Sequence, residues 1–178
     1  MRLAYNRCES SLPGRLKVGD AAPDFALPSQ TGEIVNLKGL LGSKEVVLYF
    51  YPKDNTQGCT AEACGFRDSY QVFKERGAEV VGVSSDSIDS HKDFASKNSL
   101  PFILLSDEDG KVRKLYDASS TLGLLPGRVT YIIDRRGKIR HIFSSQLNPK
   151  KHVDEALETL EKIQEAEGGN DQQHPATG

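Results

Sequence analysis

Cysteine is scarce in this chain: three in 178 residues, at positions 8, 59 and 64. That density excludes a small secreted scaffold stapled by disulfides, and a chain of this length buries enough surface to fold without them. The thiols are therefore either inert core groups or reactive ones. Long apolar runs are missing too. Hydrophobic residues make up 37% of the chain, and no stretch approaches the roughly 20 consecutive apolar residues of a membrane span. Nor does one sign of charge dominate. Twenty-three basic residues face 25 acidic ones, for a net charge of −2, which argues against nucleic acid or an anionic membrane surface as a partner.

What is present is a strand–helix alternation. The run VVLYFY at 46–51 is continuously apolar, β-branched and aromatic, as a central strand buried on both faces should be, and Pro52 stops it. EVVGVS (79–84), FILL (102–105), VTYIID (129–134) and KIRHIF (138–143) read as further strands. Between them, helices are expected over 59–76, 87–98 and 111–116, with a last one from Pro149 to about Glu165. SQTGEIVNL reads as a hairpin turning at Thr31-Gly32. The sum is an α/β domain over 18–166 with a mixed sheet, because the 129–143 hairpin is antiparallel, and with helices on both faces. Residues 1–17 read as an irregular lead-in and 167–178 as a disordered polar tail.

The segment that carries chemistry is YFYPKDNTQGCTAEACGFRDSY, residues 49–70. A buried strand ends in proline, a short polar loop follows, and Cys59 stands where a helix begins. Sites in open α/β sheets lie outside the carboxyl ends of the strands. Unsatisfied N–H groups and the positive end of the helix dipole favour a thiolate in the first turn of a helix. The Thr56 hydroxyl, three residues earlier, both donates and accepts hydrogen bonds. Arg128, just ahead of the fourth strand of the main run, is suited to hold a thiolate and orient an oxygen. Cys64 follows Cys59 by five residues. On a regular helix that is about 7.5 Å of rise and about 140° of rotation, whereas a disulfide needs Cα atoms roughly 4.4–6.8 Å apart. A bond between the two would require the helix start to unwind.

Pro52, Thr56 and Cys59 in the spacing P-x-x-x-T-x-x-C, with Arg128 in LPGRVTYIID, resemble the active site of peroxiredoxins. The second cysteine, in CTAEACGFRDSY, makes the chain similar to the peroxiredoxin Q or bacterioferritin comigratory protein subfamily. GDAAPDF, VVLYFYPKD, LPFILLSDE and NPKKHVDEAL extend the likeness from about Val18 to Glu165. The resemblance implies a thioredoxin-like fold. It implies Cys59 as peroxidatic cysteine in a pocket made by Pro52, Thr56 and Arg128, with Cys64 resolving through a Cys59–Cys64 disulfide and Glu62 as a polar helper. It also implies hydrogen peroxide and organic hydroperoxides as substrates, thioredoxin or a similar dithiol as reductant, a role in antioxidant defence and redox homeostasis, and no cofactor or metal, since sulfur does the chemistry. The in-chain disulfide makes a monomer the expectation. Gln57 departs from the pattern, where the subfamily usually has proline; a freed N–H and φ are expected to loosen the loop.

Cys64 neighbours Ala63 and Phe66, so it also fits a core face. Thr56 also fits a plain capping residue, and Cys8 is expected to have no catalytic role. His91, His141, His152 and His174 show no metal-ligand spacing and read as solvated or packed. A thioredoxin-type oxidoreductase would want Cys-x-x-Cys, not the spacing here, and two cysteines without partner histidines make a poor zinc site. Free thiols suit a reducing cytoplasm. The alternative is the chloroplast, thylakoid-associated, if the stretch with Arg2, Arg7, Arg15, Ser10 and Ser11 belongs to a leader.

Overall fold

The computed structural model describes residues 15–118 and 127–168. Cys8, His174, most of the expected lead-in and nearly all of the expected tail lie outside them. The expected hairpin forms from Ala26–Pro28 (β1) and Ile34–Asn36 (β2), antiparallel, with Gly32 at φ 85° in its turn, a conformation glycine adopts without strain. A one-turn helix absent from the sequence reading follows, Leu37–Leu40 (α1). The Asn36 side chain caps it by accepting from the Gly39 N–H, and Leu37 anchors it in the core.

The apolar run becomes Glu45–Phe50 (β3), with all six residues buried. It is followed by Gln57–Asp68 (α2), Tyr70–Glu75 (α3), Ala78–Ser84 (β4), Ile88–Lys97 (α4), Ile103–Ser106 (β5), Lys111–Leu115 (α5), Val129–Ile133 (β6), Ile139–Ser144 (β7) and Pro149–Gly168 (α6). The single helix expected over 59–76 is thus two helices that meet at Ser69, which leaves helical geometry at φ −100°, ψ 2°. The last helix runs three residues beyond its expected end.

The main sheet has the order β5-β4-β3-β6-β7. β3, β4 and β5 are parallel, and β6 and β7 return antiparallel, so the sheet is mixed as expected. Alternation along β3 splits the core in two. Val47 and Tyr49 face a cluster with Cys59, Phe66, Phe73, Phe94 and Val153, contributed by α2, α3, α4 and α6. Val46, Leu48 and Phe50 face the opposite cluster, with Phe25, Leu37, Val112 and Tyr116. The α2 helix is held to the sheet by Phe66, fully buried and stacked on Tyr49 at 4.6 Å. Burying such a ring contributes roughly 2–3 kcal/mol. On its other side α6 comes so close that a Cβ at Gly65 would lie 3.1 Å from Val153.

Candidate active site

The register of β3 on β6 explains why residues 59 and 128, so distant in sequence, become neighbours. The antiparallel ladder runs out at Phe50 opposite Val129. The residues just beyond, Tyr51–Pro52 on one strand and Gly127–Arg128 on the other, therefore leave the same edge of the sheet side by side. Pro52 fixes φ and turns the chain out of the strand. Asn55 completes the turn at φ 59°, a left-handed value that asparagine tolerates better than most residues. Thr56 then occupies the N-cap position of α2, and Cys59 is in its first turn, 2% exposed.

Arg128, itself buried, donates from Nη2 to Cys59 Sγ at 3.4 Å and from Nη1 to Glu62 Oε2. Burial works against the charge of Arg128, but Glu62 and Cys59 outweigh it and hold its pKa above the ordinary value. Glu62 lies one helical turn after Cys59 and is fully buried. Burial pushes its carboxyl up to about 8 against the pull of Arg128. Gly58 makes room for the guanidinium: a Cβ there would lie 3.1 Å from Arg128 Nη2. A sulfur at a helix N-terminus with a guanidinium on it is arranged to carry negative charge and to present it to an electrophile.

Behind these stand residues to which the sequence reading assigned no role at the site. His152 of α6 is fully buried. Its Nε2 donates to the Ser145 carbonyl at 2.9 Å, so its Nδ1 accepts from the Thr130 hydroxyl at 2.8 Å. Burial lowers its pKa to about 4, consistent with this neutral tautomer, and Nδ1 lies 3.6 Å from Glu62 Oε1. On the other flank, Asp54 anchors the loop between Pro52 and Thr56. Its carboxylate accepts from Tyr51 Oη (2.6 Å) and Ser90 Oγ (2.8 Å) and meets His91 Nδ1 at 2.8 Å, while its backbone N–H donates to Asp86. Arg113 of α5 reaches the backbone on both sides of the site. Asp54 and His152 fall inside segments that carry the family likeness, VVLYFYPKD and NPKKHVDEAL, but no spacing in the sequence says what they or Arg113 touch; the sheet order brings the partners together.

Of the expected site residues, Cys59 and Arg128 are in contact. Pro52 is half-buried at the strand end. The Thr56 hydroxyl donates to the Lys53 carbonyl at 3.0 Å and makes no capping bond. Cys64 is not on the core face that Ala63 and Phe66 define. It is half-buried, with Sγ directed at Asn98 Oδ1 at 4.0 Å, and both Cys59 and Cys64 are free. Gln57 is exposed at the first position of α2, where a backbone N–H has no partner within the helix in any case. Of the histidines, His91 and His152 are packed, and His141 pairs with Glu155 at 2.9 Å. Among the described residues no group of three His, Cys, Asp or Glu side chains could hold a metal ion, and no helix is long and apolar enough to cross a membrane.

Residues 18–142 match the model of the AhpC/TSA family. The chain belongs to that family. Within it the relatives are peroxiredoxins of the Q type. Peroxiredoxin Q, chloroplastic, of Sedum lineare is 49% identical over 156 residues, covering 87% of this chain and 83% of its own. That of Arabidopsis thaliana is 53% identical, over 85% and 72% of the two chains. Among solved structures, peroxidoxin BcpB of Mycobacterium tuberculosis superposes with a TM-score of 0.78 at 41% identity, over 84% of this chain and 99% of the other. The peroxiredoxin Q family and its thioredoxin-like fold thus agree with the resemblance read from the sequence, and the chain is, with its family, a peroxidase.

Proposed function

We propose that Cys59 is the peroxidatic residue of this peroxiredoxin and that hydrogen peroxide and organic hydroperoxides are its substrates. The observation that carries the reading is the guanidinium of Arg128 on the Cys59 sulfur. The thiolate attacks one oxygen of the peroxide. The O–O bond breaks, the sulfur becomes a sulfenic acid, and the other oxygen leaves with a proton as water or an alcohol. Arg128 stabilises charge on the oxygens as that bond lengthens. Thr56, whose own proton is committed to Lys53, is left as an acceptor for the peroxide hydroxyl. Pro52 shapes the pocket wall at the strand end.

Cys64 then condenses with the sulfenic acid, forming the Cys59–Cys64 disulfide and releasing water. Both cysteines lie within the continuous helix α2, so this step requires its first turns to unwind. A dithiol such as thioredoxin reduces the disulfide by exchange, taking up the oxidising equivalents. We take residues 18–166 as one peroxidase domain working as a monomer. The chloroplast is the better-supported compartment, since the peroxiredoxins Q of Sedum lineare and Arabidopsis thaliana are chloroplastic; the cytoplasmic expectation is set aside in its favour.

The test is peroxide consumption with thioredoxin and its reductase. Cys59→Ser should lose all turnover. Cys64→Ser should consume about one equivalent per chain and then stall, because a sulfenic acid without a resolving thiol has no route to a disulfide. Full activity in Cys59→Ser would sink the reading. Undiminished thioredoxin-dependent turnover in Cys64→Ser would leave a one-cysteine cycle.

A further inference from the structure

Among the described residues the proposed chemistry leaves one buried arginine unused. Arg113 is 6% exposed and lies at the sheet edge from which both halves of the site emerge. Its Nη1 donates to the carbonyls of Ala118 and Gly127, each at 3.0 Å, and its Nη2 to the carbonyl of Tyr51 at 2.5 Å. The guanidinium carbon lies 5.8 Å from the centre of the Phe50 ring. The base of the side chain is fixed as well: Asp107 accepts from the backbone N–H groups of Val112 and Arg113 at 3.2 and 2.8 Å.

Two of those carbonyls belong to the residues immediately before Pro52 and Arg128. The β3–β6 ladder ends at Phe50 and Val129, and past that point the fork of Arg113 carries the tie between the two segments. Placing a guanidinium in the interior strips it of water, a loss here offset by neutral carbonyls. Burial works against its charge, with Asp107 and then Cys59 acting the other way.

We propose that Arg113 is a positioning residue for the peroxidase reaction, clamping the Tyr51 and Gly127 carbonyls so that Arg128 stays in register with the Cys59 sulfur; this rests on the roles given to Cys59 and Arg128 above. The planar fork is essential to it. A lysine ammonium keeps the charge but is a single point and does not span both segments. Displacements approaching 1 Å at a reacting centre cost on the order of 100-fold in rate.

The experiment compares wild type, Arg113→Met, Arg113→Lys, Arg128→Met and the 113/128 double methionine variant in the full chain. Two rates are read at one pH: single-turnover oxidation of Cys59 by hydrogen peroxide, and alkylation of Cys59 by iodoacetamide. Alkylation needs the thiolate but not the aligned guanidinium. Oxidation should slow roughly 10- to 100-fold in Arg113→Met while alkylation stays within about threefold, and Arg113→Lys should recover only part of the loss. The double variant should be no slower than Arg128→Met alone, because Arg113 acts through Arg128. Should Arg113→Met fail to fold, Arg113→Lys carries the comparison, read against its own thermal melt. Oxidation within twofold of wild type, equal loss of both rates, or multiplied losses in the double variant would overturn the inference. A wild-type Cys59 inert to peroxide would overturn the functional reading beneath it, which keeps the two failures apart.

Discussion

Asp54 and His91 meet in the interior, Oδ2 to Nδ1 at 2.8 Å, with neither side chain more than 1% exposed. The other ring nitrogen of His91 donates to the Leu105 carbonyl at 3.1 Å, so a proton lies between Nδ1 and Oδ2. The pair joins the loop before Cys59 to α4 and to the end of β5, and gives the catalytic segment a fixed point on the side away from α2.

Asp54→Ala would remove the carboxylate shared by His91 Nδ1, the Tyr51 hydroxyl and the Ser90 hydroxyl at once. It should destabilise the fold at pH 7 by roughly 3 kcal/mol or more, as removing one member of a buried pair does. Burial alone would raise the Asp54 carboxyl, but the bonds from His91, Tyr51 and Ser90 win and hold it below its usual value. Its stabilisation is therefore present above the unfolded-state value of about 3.9 and is lost as pH falls through the lower folded-state value. Urea unfolding of wild type and variant at pH 7 and pH 3 checks both statements; a difference that stays constant would contradict the second.

Gly58→Ala separates stability from catalysis. Alanine in place of glycine near a helix start favours the helix, by at most about 1 kcal/mol. The new Cβ would sit 3.1 Å from Arg128 Nη2, so the guanidinium must shift by a few tenths of an ångström from its place on the sulfur. The variant should melt no lower than wild type while its peroxide oxidation rate falls about tenfold or more. Unchanged rates would mean that the arginine has room to adjust.

Glu62 and His152 should give pH slopes of opposite sign. With its folded value raised to about 8, Glu62 binds a proton in the native state that the unfolded chain releases above about 4.3, so its contribution falls as pH rises toward 8. His152, held neutral down to about 4, makes the unfolded chain the better proton binder below about 6.5, so its contribution falls as pH drops from there toward 4. Each slope has a ceiling of about 1.4 kcal/mol per pH unit. Glu62→Gln should flatten the alkaline side of the stability profile and His152→Gln the acid side, read by denaturant unfolding from pH 4 to 9.

Most of the sheet was legible because its signals are local. The continuous apolar run at 46–51 is β-branched and aromatic and is closed by Pro52, which marks a strand, and the 129–143 hairpin forces antiparallel strands. Cys59 was legible for a related reason: proline, polar loop and helix start stand in one stretch of sequence. The α1 helix was missed because four residues carry no periodicity, and the break at Ser69 because nothing in DSYQ differs from a continuing helix. The approach of Arg128 to Cys59 comes from the pairing of β6 beside β3, a contact across 69 residues that no spacing encodes. Asp54–His91, Thr130–His152 and the reach of Arg113 to Tyr51 are invisible in sequence on the same grounds. Each joins elements that only the strand order makes neighbours.

The junction at Ser69 limits how far a disturbance of the helix that carries Cys59 can travel. The α2 helix spans 12 residues, and its core anchors are Cys59, Glu62, Ala63 and Phe66. The α3 helix holds its own anchor, Phe73, in the same cluster. The unwinding from 57 to 64 that the proposed Cys59–Cys64 disulfide needs would therefore withdraw one small stretch of chain from the interior and leave Phe73 and the crossover to β4 seated. Opening becomes a local excursion with a free-energy ceiling set by a few side chains, well below that of global unfolding. A helix uninterrupted from 57 to 75 would have tied the reach of Cys64 to the stability of the whole crossover; the kink works as a firebreak.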